Sequence, residues 1–232
     1  DEINEIADNN NLVVIEDAAH ALGATYNGKT IGSISDFTAF SFQAIKHLTT
    51  GDGGALCCLN ENHYQEARNR RWFGIDRKGS QPSILGERLF DIEEVGYKYH
   101  MNDLAAVLGL GNLEELPQRL KRIQEIASIY RKELAQVPGL RLLDYKDNRK
   151  SSYWLFTILV ENRLDFINQM KASDIPVSVV HQRIDRFAVF GGKTTGLVNQ
   201  EKFDENQISI PIHSNLTNED IDNIIHNIKR GY

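Results

Sequence analysis

"FSFQAIKHLTTGDGGAL" (Phe40–Leu56) is the stretch on which the fold turns. Its opening residues suit a strand that ends near Ser41. Lys46 follows in a short connection, and Gly51, Gly53 and Gly54 then turn the chain into a second strand. A lysine close to a strand-end cleft is seldom left there without a partner. Its amine, made nucleophilic by a depressed pKa, can form a Schiff base with an aldehyde. The plainer alternative is a solvated lysine in a turn.

Working outward toward the N-terminus, "NLVVIEDAAH" (Asn11–His20) holds the short apolar run Leu12–Ile15, which closes on Glu16 and Asp17. Such a run suits a buried parallel strand whose polar residues emerge at its C-terminal end, where open α/β sheets collect their ligands. Asp17 there is either a turn or N-cap carboxylate or the partner of a cationic group. Between the two stretches, "GATYNGKT" (Gly23–Thr30) matches the phosphate-loop pattern letter for letter. That pattern has its mechanism only when a helix N-terminus follows. Here "IGSISDFTAF" follows, and Asn27-Gly28 is a two-residue hairpin signal. The hairpin accounts for every residue, so the nucleotide-loop reading is set aside.

The remaining elements follow from spacing. Asp36–Phe42 and Gly53–Leu59 read as strands, and Asn62–Phe73 as a helix. The region from Gly74 to about Phe90 lacks periodicity and reads as a long loop. Asn102–Val137 is helical but interrupted at Pro117, which predicts two helices or one kinked helix. Ser151–Val160 and Pro176–Val180 read as strands and Arg163–Ser173 as a helix. Thr217 and Asp220 form a capping box ahead of Ile221, Ile224, Ile225 and Ile228. Ile3, Ile6 and Ala7 look like a helix already under way at the start of the chain. A domain boundary is expected near Pro117–Leu120, giving an α/β part (1–117) and a smaller α+β part (118–232).

Composition bounds the function. The 232 residues carry a formal net charge of −6, with 41% hydrophobic and 25% charged residues. That is ordinary globular composition, and its sign argues against a nucleic-acid partner. No apolar run reaches membrane-spanning length and no secretory pattern opens the chain, so the cytoplasm is the expected location. The two cysteines, Cys57 and Cys58, are adjacent and make poor disulfide partners. The seven histidines are scattered and no metal-ligand spacing stands out. A hydrolase built on Asp17, His20 and Ser41 would need a nucleophile turn flanked by glycines, whereas Ser41 lies between two phenylalanines in a strand.

"VIEDAAHALGATYNGKTIGSISDFTAFSFQAIKHLTTGDGGAL" (Val14–Leu56), with "GYKYHMNDLAAVLGLGNLEEL" (Gly96–Leu116) downstream, resembles the DegT/StrS family of pyridoxal-phosphate sugar aminotransferases. The resemblance runs from the first residue through the C-terminal helix, with the motifs in order and at matching spacings. It implies the type I (aspartate aminotransferase-like) PLP-dependent transferase fold, with 1–117 as the C-terminal portion of the large cofactor-binding domain and 118–232 as the small domain. It further implies that an early part of the large domain, including much of the phosphate cup, lies outside this sequence.

The resemblance also implies roles. Lys46 would hold pyridoxal 5′-phosphate covalently and move a proton between substrate and cofactor. Asp17 would face the pyridinium nitrogen and keep it protonated, the state in which the ring is an electron sink. His20 would lie beside the ring near its phenolic oxygen, and Ser41 would bond the phosphate. Lys98 stands where the family often has Asn reaching the phosphate of the neighbouring subunit's cofactor, and a lysine can meet a phosphate as a point charge. In "VHQRIDRF" (Val180–Phe187), His181 and Arg183 would help shape the sugar site, with a charged surface loop as the alternative. Lysine rather than histidine at position 46 favours amino transfer over the dehydratase chemistry of some relatives. The implied reaction moves an amino group from an amino acid, glutamate by resemblance, to a nucleotide-linked deoxysugar, in a homodimer. A non-catalytic regulator or sugar-binding relative is the rival reading.

Overall fold

The computed structural model describes residues 1–231. Residue contacts separate two compact units, the first Asp1–Leu116 and the second beginning at Pro117. In the first, helix α1 (Glu2–Asn9) is followed by β1 (Ile15–Asp17), the hairpin β2 (Thr25–Tyr26) and β3 (Lys29–Thr30), and then β4 (Phe37–Ser41) and β5 (Gly54–Cys58). Helix α2 (Glu61–Arg70) comes next, then the small hairpin β6 (Gln81–Pro82) and β7 (Arg88–Leu89). Helix α3 (Asp103–Glu133) begins in this unit and continues into the second.

The sheet that positions the site has the order β1-β4-β5. Strand β1 runs parallel to β4, with Asp17 paired to Ala39, and β5 runs antiparallel to β4, with Gly54 paired to Ser41. Parallel strands share the edge at which their C-terminal ends emerge, so Asp17 and Ser41 come out on the same side. The strand is three residues long and starts later than the apolar run suggested. Nor is that run buried: Leu12, Val13 and Ile15 are 58–71% exposed, since β1 is the last strand of this sheet and among the described residues nothing covers them.

Asn27 and Gly28 both have positive φ (48° and 77°), the backbone that joins two strands through a two-residue turn. The phosphate-loop pattern is therefore a hairpin, as its residues indicated. The region read as a plain loop contains β6 and β7, joined through a turn in which the Glu87 carbonyl accepts from the Ser83 amide at 2.7 Å. Two residues per strand leave no periodicity to detect.

In the second unit, β8 (Leu140–Leu142), β9 (Arg149–Lys150) and β10 (Phe156–Val160) precede α4 (Arg163–Ala172), α5 (Val198–Asn206), β11 (Gln207–Ile210) and α6 (Asn218–Lys229). Antiparallel pairing gives the order β11-β10-β8. The C-terminal half of α3 lays Ile126, Ala127 and Tyr130 into the core of this unit, with Leu134 just beyond the helix end and Phe166, Met170, Ile221, Ile224 and Ile228 packed in the same cluster. The capping box is present: Thr217 Oγ1 accepts from the Asp220 amide at 3.1 Å and Asp220 Oδ2 accepts from the Thr217 amide at 2.8 Å.

Two expectations change here. Of the alternatives at Pro117, two separate helices fall and a single helix stands, since α3 continues through the proline for 31 residues in all. The carbonyl that loses its partner is that of Leu113, a residue 49% exposed, so water can satisfy it. Pro176–Val180 is not a strand but a single bridge, Ser178 to Ser209. Strand β11 is not among the strands expected above: its residues alternate polar and apolar, but the run is only four residues long, and Gln207 and Ser209 are buried along with Ile208 and Ile210.

Candidate active site

The chain between β4 and β5 is closed on itself. The Phe42 amide donates to the Gly53 carbonyl at 2.8 Å, and the Thr50 amide donates back to the Phe42 carbonyl at 2.9 Å. Lys46 sits within the loop so closed, in a turn where its own amide donates to the Gln43 carbonyl at 2.9 Å. Gln43 Oε1 accepts from the Ile45 amide at 3.0 Å, and Ser41 Oγ accepts from the Gln43 amide at 3.3 Å. The lysine therefore rises from a short, internally bonded segment rather than from a loose turn. At the mouth of the loop, β5 begins with Gly54 because the Phe40 carbonyl leaves no room for a side chain.

Lys46 is half-buried, and the loss of water around its amine pulls its pKa below the ordinary lysine value. The charge of Asp17 acts on it in the opposite sense. Both effects fit a partly dehydrated amine with a carboxylate in electrostatic reach. The Asp17 carboxylate is exposed at the end of β1, and its Oδ1 accepts from the Ala19 amide at 3.1 Å. Ser41 is half-buried at the end of β4, and His20 is exposed shortly after Asp17.

Lys98 lies on a separate segment of this unit. Its backbone bridges to Trp72, and the flanking Tyr97 and Tyr99 amides donate to the carbonyls of Arg70 and Arg71 at the end of α2. The side chain is exposed. A cleft of about 520 Å³ in the same unit includes none of the expected site residues. Its lining includes Glu66, Asp76, Asp91, Glu93 and Glu94, and so many carboxylates repel a phosphate-bearing ligand.

His181 and Arg183 belong to the second unit. The His181 ring lies 5.8 Å from that of Trp154, and its carbonyl accepts from Gln207 Nε2 at 2.6 Å. Arg183 is 4% exposed, so it is no solvated loop charge. Its guanidinium donates twice to Asp185, at 2.7 and 2.5 Å, and to the Thr194 carbonyl at 3.0 Å. The adjacent arginine holds the Asp185 carboxyl far below the usual range. Such a bidentate pair fixes the loop in place.

The reading from sequence overlooked the residues that brace the lysine loop. Thr49 Oγ1 donates to the Phe42 carbonyl at 3.3 Å and accepts from the Gly51 amide at 2.9 Å. Thr50 Oγ1 donates to the Asp52 carbonyl at 2.9 Å. Asn112, on α3, donates through Nδ2 to the Thr49 carbonyl at 3.1 Å. A short amide in the middle of an otherwise leucine-rich helix was the signal available for it.

A half-buried amine and a carboxylate at the C-terminal edge of an α/β sheet define a site of the kind used by lysine-dependent carbonyl chemistry. The chain belongs to the DegT/DnrJ/EryC1/StrS aminotransferase family, whose model matches residues 1–229. It is 37% identical to the uncharacterised protein MJ1066 of Methanocaldococcus jannaschii, covering 99% of this chain and 62% of that protein. It is 32% identical to the UDP-4-amino-4,6-dideoxy-N-acetyl-beta-L-altrosamine transaminase of Campylobacter jejuni, over 100% of this chain and 64% of the relative. Among solved structures, AtS13 from Actinomadura melliaura superposes with a TM-score of 0.90 at 35% identity, covering 100% of this chain and 62% of that one. The sugar aminotransferase CalS13 from Micromonospora echinospora gives 0.89 at 31% identity, over 99% and 62%. The chain thus has the fold of these sugar aminotransferases and spans less than two thirds of the length of the relatives it matches. No helix among the described residues is long and apolar enough to cross a membrane.

Proposed function

We propose that the protein is a pyridoxal-phosphate-dependent aminotransferase that moves an amino group from an amino acid, glutamate as donor, to the keto group of a nucleotide-linked deoxysugar. The observation that carries this reading is the pairing of Lys46 with Asp17: an amine whose pKa is lowered by lost hydration, with a carboxylate acting on it, on one sheet edge. The names of relatives in the family, the altrosamine transaminase above and a GDP-perosamine synthase of Escherichia coli 28% identical over the whole of this chain, support the substrate class. A homodimer in the cytoplasm is part of the same proposal.

The residues present fit the cofactor. Lys46 offers a partly desolvated amine, Asp17 a carboxylate, and Ser41 a hydroxyl free to donate its proton to a phosphate oxygen while accepting from Gln43. Pyridoxal phosphate, when bound, supplies an electron sink that acidifies the carbon bearing the substrate nitrogen. Lys46 would hold that group through its amine, and the same amine would be the base that takes and returns the substrate proton. Asp17 keeps a ring nitrogen protonated by presenting a negative charge to it. His20, three residues after Asp17, would face the ring from the same segment. By the family resemblance Lys98 would supply a positive charge to a phosphate, and His181 and Arg183, in a loop held by Asp185, would be sugar-side candidates.

The test uses the full-length protein. Incubation with pyridoxal phosphate, borohydride reduction and peptide mapping should place the phosphopyridoxyl group on Lys46. In a separate, unreduced sample, glutamate followed by candidate nucleotide ketosugars should give a product heavier than the ketosugar by the replacement of its keto oxygen with an amino group and a hydrogen. An unmodified Lys46 would sink the reading. Trapping at Lys46 with no aminated cofactor after adding glutamate would establish the binding-only relative instead.

A further inference from the structure

The lysine loop is tied to one residue far away in sequence. Asn112 lies 63 positions beyond Thr49, yet its Nδ2 donates to the Thr49 carbonyl at 3.1 Å as well as to the Leu108 carbonyl of its own helix at 3.0 Å. Asparagine is a poor residue for a helix interior, because its amide competes for backbone partners. Here it bonds back to the preceding turn and turns its remaining donor outward onto the loop. What it holds is the exit of the Lys46 segment, where Thr49 and Thr50 both bond the Phe42 carbonyl. Entrance and exit are thus fastened together, and Asn112 fastens the exit to α3.

We propose that Asn112 is a positioning residue for Lys46, its amide acting through Thr49 to hold the lysine loop against α3. The proposal rests on the reading of Lys46 as the amine that captures the cofactor. Without the amide bond, the Thr49 carbonyl turns to water and the Phe42–Thr50 closure loses its outer support. Lys46 then samples more hydrated positions. Asp17 acts on the amine only while the loop keeps its place, so both influences on Lys46 weaken together.

The experiment measures Lys46 in the cofactor-free full-length protein, by competitive labelling with acetic anhydride across pH and peptide-resolved mass spectrometry. Leucine at this position has the same shape, cannot donate and is a better helix former, so the helix survives the change. Asn112→Leu should raise the labelling midpoint by about half to one pH unit, equivalent to a roughly three- to tenfold drop in free amine near pH 8. It should slow borohydride-trapped loading of Lys46 in the same proportion. Asn112→Gln, which restores a donor, should recover most of both. Thr49→Val removes the hydroxyl bonds at the same exit and should shift the midpoint in the same direction, giving a second variant should the first prove unstable. A wild-type midpoint in Asn112→Leu overturns the proposal. So does a shift that Asn112→Gln fails to reverse, since bulk rather than the donor would then be responsible. Failure of wild-type Lys46 to trap cofactor would defeat the functional reading, while the labelling comparison still decides the role of Asn112.

Discussion

Gly54 lies so close under the Phe40 carbonyl that a methyl group added to it would stand 2.4 Å from that oxygen. The nearby atoms are backbone, in paired strands that also carry Ser41, and cannot step aside as a flexible side chain would. Gly54→Ala should therefore force β4 and β5 apart at the entrance to the lysine loop. The expected cost is about 1–3 kcal/mol, the range for overpacking a filled site. Chemical denaturation reads it directly, and a variant as stable as the wild type with normal Lys46 loading would contradict the close approach.

Asp17→Asn gives a test of sign. In the cofactor-free protein the Asp17 charge raises the Lys46 pKa, against the larger downward pull of lost hydration. Removing that charge should move the amine's labelling midpoint further down and make Lys46 more reactive toward acetic anhydride at neutral pH. Under the proposed function, transamination by the full-length protein should nevertheless collapse, because Asp17 would be the counter-charge of the ring nitrogen. The two readouts move in opposite directions. An unchanged midpoint would show that the carboxylate does not act on this amine, and an upward one would contradict the sign.

Much of the fold was legible because local chemistry and tertiary structure agreed. Asn27-Gly28 demands a two-residue turn whatever surrounds it, and Thr217 with Asp220 marks a helix start from side-chain geometry alone. Where packing decides, the sequence is quieter. Pro117 disfavours a helix interior, yet α3 continues through it, at a point where Leu113, whose carbonyl loses its partner, is half-exposed. Strand β11 alternates polar and apolar residues for only four positions, and packing buries Gln207 and Ser209 as fully as the isoleucines between them. At the candidate site, Lys46 and Asp17 stand out by residue type at strand ends. The braces do not: Thr49, Thr50 and Asn112 act through backbone carbonyls, and nothing in a sequence says which carbonyl a threonine or asparagine will meet.

Arg183 is committed within its own loop, so its loss should be read first in loop order. Asp185 receives two bonds from Arg183 and one from the Thr194 amide at 2.9 Å, which together hold its carboxyl far below the usual range. A depressed carboxylate stabilises the fold at every pH above its unfolded value and loses that contribution as pH falls below about 4 toward the folded value. Asp185→Asn should open the segment 184–197 to proteolysis at neutral pH. The difference from wild type should stay constant above about pH 5 and narrow only in stronger acid. Equal cleavage of the two proteins at pH 7 would show that the ion pair does not hold the loop.

Tyr130 supplies the corresponding test at the alkaline end. Its ring is fully buried in the core of the second unit, edge-on to Phe156 with centroids 5.1 Å apart, and its hydroxyl donates to the Pro211 carbonyl at 3.0 Å. Burial, with a smaller contribution from Asp220, raises its pKa well above the ordinary tyrosine value. The folded protein thus keeps the phenol proton where the unfolded chain would release it. Its stabilising effect is complete below the unfolded value near pH 10 and is lost as pH rises from there toward the folded value. Tyr130→Phe removes one buried hydrogen bond and leaves the Pro211 carbonyl without its donor, a cost of about 1–3 kcal/mol at pH 7. The same change removes an ionisation, so the variant should lose less stability than the wild type between pH 10 and 12. Denaturation midpoints measured from pH 7 to pH 12 check both halves: the gap between the two proteins should narrow with rising pH. A gap that widens, or stays fixed across that window, would mean that the phenol is not shielded as the packing requires.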